Sequence, residues 1–140
     1  MSKETELDLL NEKRVARAVE NHFGWTLEKI TEKYHPLDYV LVKDRREVGA
    51  ILCGYSEIKC RKIPSTKYDS GIVDLKKWQN IKLMLQTALL PVYLIYAWSD
   101  VIGIKLCRLE DNYRVLMIGS VESYQPHVLV PVAEFTKLDL

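Results

Sequence analysis

At 140 residues and 48% hydrophobic side chains, the chain suits a single domain that can bury a real core without disulfide or metal staples. A formal net charge of +1 leads one to expect weak, salt-sensitive non-specific contact with a polyanion rather than tenacious binding. The longest apolar stretch, Leu89 to Ala97, contains Pro91 and two tyrosines, which excludes a membrane span, and the polar, acidic first residues do not have the form of a signal peptide, so the cytoplasm is expected.

In chain order, Leu7 to Trp25 predicts a helix stopped near Gly24, with Ala16, Val19 and Phe23 as its apolar stripe. Glu20 falls inside that stripe, and an acid facing inward needs a reason; pairing with a neighbouring base is one. Leu27 to Tyr34 reads as a short helical or irregular piece broken by Pro36. Two apolar runs follow, Tyr39 to Val42 and Val48 to Ile58, parted by the charged turn Lys43-Asp44-Arg45-Arg46-Glu47. Antiparallel pairing of these strands brings Asp38, Glu57 and Lys59 to the same end, and if Asp38 lies roughly opposite Glu57 the hairpin closes near Glu47 and Val48 with a short loop. Alternation then turns Glu57 and Lys59 to one face while Ile58 packs behind them.

Ile63 to Val73 has the Gly, Pro and polar content of a loop, in which Tyr68 is either an ordinary loop tyrosine or a platform for a base. Asp74 predicts the cap of a second helix, Leu75 to Leu90, that buries Leu75, Trp78, Ile81, Leu85, Ala88 and Leu89 before Pro91. The last third reads as four strands, Val92 to Trp98, Val101 to Cys107, Tyr113 to Val121 and Val128 to Val132. No internal repeat or linker interrupts the chain, so one compact unit spanning 1–140 is expected.

Two carboxylates and an ammonium converging at one end of a hairpin have a chemical use. A hard divalent cation such as Mg²⁺ takes one or two carboxylates and keeps its other positions for water and phosphate oxygens. Asp38 and Glu57 can supply those ligands, and Lys59 can orient a nucleophile or stabilise a developing oxyanion. Charge is distributed to match: residues 43–82 hold ten Lys or Arg against five acids, whereas 1–42 hold six against eight and 83–140 four against six. Lys43, Arg45, Arg46, Arg61, Lys62, Lys67, Lys76, Lys77 and Lys82 flank the two acids in sequence and are therefore candidates for contact with a nucleic-acid backbone, each with the alternative of a solvated surface charge. Cys53, Cys60 and Cys107 form no Cys-x-x-Cys pair and no histidine stands at ligand spacing, so they read as reduced thiols rather than a zinc site. His22, His35 and His127 are too scattered to argue a relay.

Pro36-Leu37-Asp38 followed on the next strand by Glu57-Ile58-Lys59 resembles the PD-(D/E)XK nuclease superfamily, and within it a small phage or Holliday-junction-resolvase-like member. The sequence departs from that pattern in having Leu37 between Pro36 and Asp38. The resemblance implies an α/β domain with a restriction-endonuclease-like mixed central sheet flanked by helices. It also implies metal-dependent phosphodiester hydrolysis, with Mg²⁺ or Mn²⁺ held by Asp38, Glu57 and the Ile58 backbone carbonyl, and Lys59 beside the attacking water. Glu20 resembles the helix glutamate that reaches the metal site in many relatives, and Gln79 and Lys82 resemble the polar helix residues that contact phosphate. The expected substrate is DNA, cut with structure-selective or relaxed preference, by a homodimer where both strands are cut. Nothing in the sequence discriminates against RNA. The alternative is a catalytically silent nuclease fold that binds nucleic acid or a protein partner in phage assembly or regulation.

Overall fold

The computed structural model describes residues 6–30, 37–45, 49–120 and 122–138. In order these form α1 (Glu6–Phe23), β1 (Thr26–Lys29), β2 (Tyr39–Arg45), β3 (Gly49–Cys60), β4 (Ser70–Asp74), α2 (Leu75–Thr87), β5 (Val92–Ala97), β6 (Ile102–Cys107), β7 (Val115–Ile118), β8 (Gln125–Pro131), a 3-10 turn (Val132–Glu134) and β9 (Thr136–Lys137). Six strands make the main sheet in the order β1-β2-β3-β5-β6-β9, and β4-β8-β7 make a second, three-stranded one. Among the described residues only β3 and β5 pair in parallel; the other ladders are antiparallel. Among the described residues no helix is long and apolar enough to cross a membrane.

Each helix covers one face of the main sheet. α1 buries Val15, Ala16 and Val19 against Leu41, Ile58, Ile95 and Ile104, and stops where Gly24, at φ 72°, donates its N–H to the Glu20 carbonyl at 2.7 Å. α2 opens on Asp74, whose carboxylate accepts from the Lys76 N–H at 2.8 Å, and buries Trp78, Ile81 and Met84. It packs with the second sheet over Leu94 and Tyr96, so β5 is covered on both sides and reads as an apolar run. Parallel strands require a long crossover, and the one from β3 to β5 carries β4 and α2. Its landing is close: a side chain at Gly54 would bring Cβ within 2.5 Å of the Pro91 carbonyl oxygen, to which the Tyr55 N–H also donates at 2.9 Å.

Several elements differ from the expectations. Thr26–Lys29 is a strand, not a helical piece, because it pairs with β2 from Thr26↔Val42 to Lys29↔Tyr39. Ser70–Asp74 is β4 rather than loop, held by its ladder to β8. Leu89 is not in the core; it stands 84% exposed at φ 55°, past the end of the helix, while Met84 takes the buried position. The last third splits between sheets: β5 and β6 enlarge the main one, and β7 and β8 join β4 in the other.

A buried ion cluster ties this last third together. The Lys105 ammonium on β6 lies 3.2 Å from Asp111 Oδ2 and 3.3 Å from Glu134 Oε1, and Tyr113 donates its hydroxyl to the same Glu134 oxygen. Burial works against the charge on Lys105, but its hydrogen bonds and the Asp111 carboxylate outweigh that and hold the ammonium protonated well above its ordinary range. In a Lys105→Met variant both acids lose their cation, and urea unfolding is expected to show a loss near the low end of the ~3–5 kcal/mol typical of a broken buried pair, since Glu134 keeps some solvent.

Candidate active site

The β2–β3 ladder aligns Tyr39 with Ser56, so Asp38, one residue earlier, meets Glu57, one residue later. On β3 the side chains alternate: Ile58 packs on the α1 side, and Glu57, Lys59 and Arg61 turn to the side covered by α2 and the second sheet. The crossover to β5 lays the first turn of α2 over that face and delivers Lys77. Its Nζ lies 3.4 Å from Asp38 Oδ1 and 3.4 Å from Glu57 Oε1. A lysine in a first helical turn that holds no acid opposes the helix dipole, and the two carboxylates offset that cost.

Glu57 is 1% exposed, yet Asp38 and Lys77 are about one-third exposed, so the cluster opens to solvent on the Asp38 side. Burial, then the Asp38 charge, push the Glu57 carboxyl up to about 8 against the partial counter-effect of Lys77 and Lys59. Burial also acts against the Lys77 ammonium, but Glu57 and Asp38 outweigh it and its proton is held more firmly than usual. Oε2 of Glu57 has no hydrogen-bond partner among the described residues. A buried carboxylate oxygen without a donor, beside a second acid, is a site short of positive charge.

That shortage fits a hard divalent cation. No group of three or more His, Cys, Asp or Glu gathers at metal-holding geometry among the described residues, so the side-chain donors are the two acids. The backbone can add one. Tyr55 and Arg61 donate their N–H groups toward the β5 edge, to Pro91 and Ala97, so alternation turns the Ile58 carbonyl to the opposite edge, where β2 begins at Asp38. Two carboxylates and a carbonyl, with water or phosphate for the rest, is the donor set that Mg²⁺ commonly takes.

The other candidates are scattered. Glu20 stays on the α1 side: one oxygen accepts from the Leu27 N–H at 2.9 Å and the other pairs with Arg17 at 2.9 Å, so this inward acid secures the α1–β1 turn. Lys43 stands exposed toward the far end of β2, about 16 Å from Asp38 at the strand rise. Arg46 and the side chain of Arg45 lie outside the described residues. Arg61 shares the Glu57–Lys59 face, and its Nε donates to the Tyr96 hydroxyl at 3.1 Å. Lys62, Lys67 and Gln79 are exposed. Lys82 spends its donors on the carbonyls of Arg108, Leu109 and Asp111, at 2.9, 2.6 and 2.6 Å, which makes it a clamp on that turn.

Lys77 stands among the basic residues expected to flank the site, but its contact with both acids is not foreseen from sequence. A signal for it exists: two lysines at 76 and 77 follow the cap Asp74, where acids are favoured, and Lys77 sits one turn before the buried Ile81, on the edge of the apolar stripe. The cysteines add no reactive group. Burial raises the thiols of Cys60 and Cys107, the latter to about 12.

Residues 2–138 match the model of a protein family described as "Phage putative PDDEXK endonuclease". No curated protein and no solved structure matches the chain.

Proposed function

The chain belongs to this phage PDDEXK endonuclease family, and from that premise we propose that it hydrolyses phosphodiester bonds in DNA with Mg²⁺ or Mn²⁺ bound at Asp38 and Glu57. Its mixed sheet between two helices is accordingly of the restriction-endonuclease-like kind. The observation that carries the proposal is the meeting of Asp38, Glu57 and the Lys77 ammonium at one rim of the sheet, with Lys59 on the same face.

Asp38, Glu57 and the Ile58 carbonyl would hold the cation. When bound, it supplies Lewis acidity and offsets charge on the scissile phosphate. Lys59 orients the attacking water and stabilises charge that develops on the phosphate oxygens. Lys77 keeps the two acids together before the cation arrives and places a positive charge at the mouth of the site afterwards. A small domain with one such site has few means of reading sequence, so cleavage selective for structure or relaxed in sequence follows. Cutting both strands would take two copies.

The test is cleavage of linear, nicked, flapped and four-way DNA in Mg²⁺, in Mn²⁺ and in EDTA, by the wild type and by Lys59→Ala. The expected result is metal-dependent cutting that Lys59→Ala lowers by ~10²–10³-fold, the cost of a lost charge stabiliser. No cutting of any substrate, or full activity in the variant, overturns the proposal. A second reading rests on Lys77: its ammonium, within 3.4 Å of both acids, already provides a cation, as a silent fold that only binds nucleic acid would need. Binding that is indifferent to metal, with no cleavage, favours that reading.

A further inference from the structure

Beyond Lys59 the same face of β3 continues to Arg61, and there the main sheet and the second sheet part around a groove of about 630 Å³. Tyr96, the ladder partner of Lys59, forms one wall. Its hydroxyl accepts from Arg61 Nε at 3.1 Å and from the Ile72 N–H at 3.2 Å, and it lies 3.3 Å from the Ile72 carbonyl. Its ring rests on Gly71, where a Cβ would come within 3.0 Å of it. This wall is therefore set before any ligand arrives. Trp98, which also lines the groove, packs against it with centroids 4.5 Å apart and the ring planes tilted by 38°.

The floor is apolar, with Ile63, Leu116, Ile118 and Leu129, and a few polar and aromatic groups are set around it. Tyr68 stands at the groove 60% exposed, with the Lys67 ammonium over its ring at 5.7 Å. The Arg114 side chain also lines the groove and makes no hydrogen bond or ion pair among the described residues. Asp69 adds one acceptor. An accessible ring offers stacking to any base, guanidinium groups take phosphate, and a carboxylate accepts from an exocyclic amine. The volume lies within the ~300–1,000 Å³ of small-molecule sites, room for one nucleotide but not for a duplex.

We propose that this groove receives a single unpaired nucleotide about two steps from the scissile bond, its base against Tyr68 and its phosphate on Arg61 and Arg114. Lys59 and Arg61 are two residues apart, ~6.6 Å along the strand, which equals about two steps of a stacked nucleic-acid strand. The position relative to the cut rests on the hydrolase reading; binding of the nucleotide does not. Substrates with an unpaired base within about two steps of the cleavage point, such as flaps and branches, are then favoured over intact duplex.

Binding in EDTA separates the two claims, because no cleavage is read. A single-stranded oligonucleotide containing 2-aminopurine, and a blunt duplex of equal length, are titrated against wild type, Tyr68→Ala and Arg114→Ala. The single strand is expected to bind more tightly than the duplex and to change its fluorescence on binding. Each variant should lose about tenfold in single-strand affinity while keeping its duplex affinity and its melting temperature. Wild type that does not bind the single strand, variants that bind it undiminished, or variants that lose both affinities equally would each overturn the assignment. A wild type that binds in this way but cuts no DNA sinks the hydrolase reading and leaves the groove.

Discussion

A Glu57→Gln variant is expected to cleave DNA at least ~10²-fold more slowly than wild type while melting at a higher temperature in EDTA at pH 9. The two effects have one cause. Glu57 is buried beside Asp38 with an oxygen that no donor among the described residues satisfies, so its charge is costly to the metal-free fold and useful only with a cation present. An amide of the same shape removes the charge and keeps the packing. Calorimetry in EDTA with a parallel cleavage assay in Mg²⁺ measures both; a variant that is less stable and still active would mean that Glu57 belongs to the scaffold and not to the chemistry. Such opposition between stability and activity is expected where a site stores unfavourable charge for use.

The second large effect is a dependence of cation affinity on pH. The Glu57 carboxyl titrates at about 8 in the metal-free protein, against 4.5 for an unperturbed glutamate, and a cation must displace its proton. Apparent affinity for Mn²⁺ should therefore rise on the order of tenfold per pH unit up to about 8 and then level off. Stability in EDTA should move the other way. Between 4.5 and about 8 the folded chain holds a proton that the unfolded chain has released, so stability falls as pH rises through that window and flattens above it. Calorimetric titration from pH 6 to pH 9 reads the first, and melting in EDTA the second. An affinity flat across that range would place the cation elsewhere.

Much of the site is legible in the order of residues because it rests on period-two alternation. The shared face of Glu57 and Lys59 follows from alternation alone; the opposition of Asp38 and Glu57 needed a register the hairpin does not fix, and it holds because Lys43 to Arg45, read as turn, extend β2 to pair with Gly49 to Ile51. The amphipathic stripe of α2 and its stop before Pro91 are local in the same sense. What was illegible depends on contacts between elements. β1 buries only Leu27, and its identity as a strand comes from β2. β4, Ser-Gly-Ile-Val-Asp, has the composition of a loop and becomes a strand by pairing with β8. Lys77 is one lysine among many until the crossover sets it over Glu57. Glu20 has an inward position that invites a catalytic role, and its reason turns out to be the Leu27 N–H, seven residues away across a turn.

Gly54 carries a cost for anyone screening random substitutions of this chain. It touches no reactive group, yet any side chain there collides with the Pro91 carbonyl and displaces the strand on which Glu57 depends for its partner. A selection scored on activity alone would rank Gly54 beside the acids; only a parallel count of soluble, folded protein would tell a broken hinge of architecture from a missing ligand.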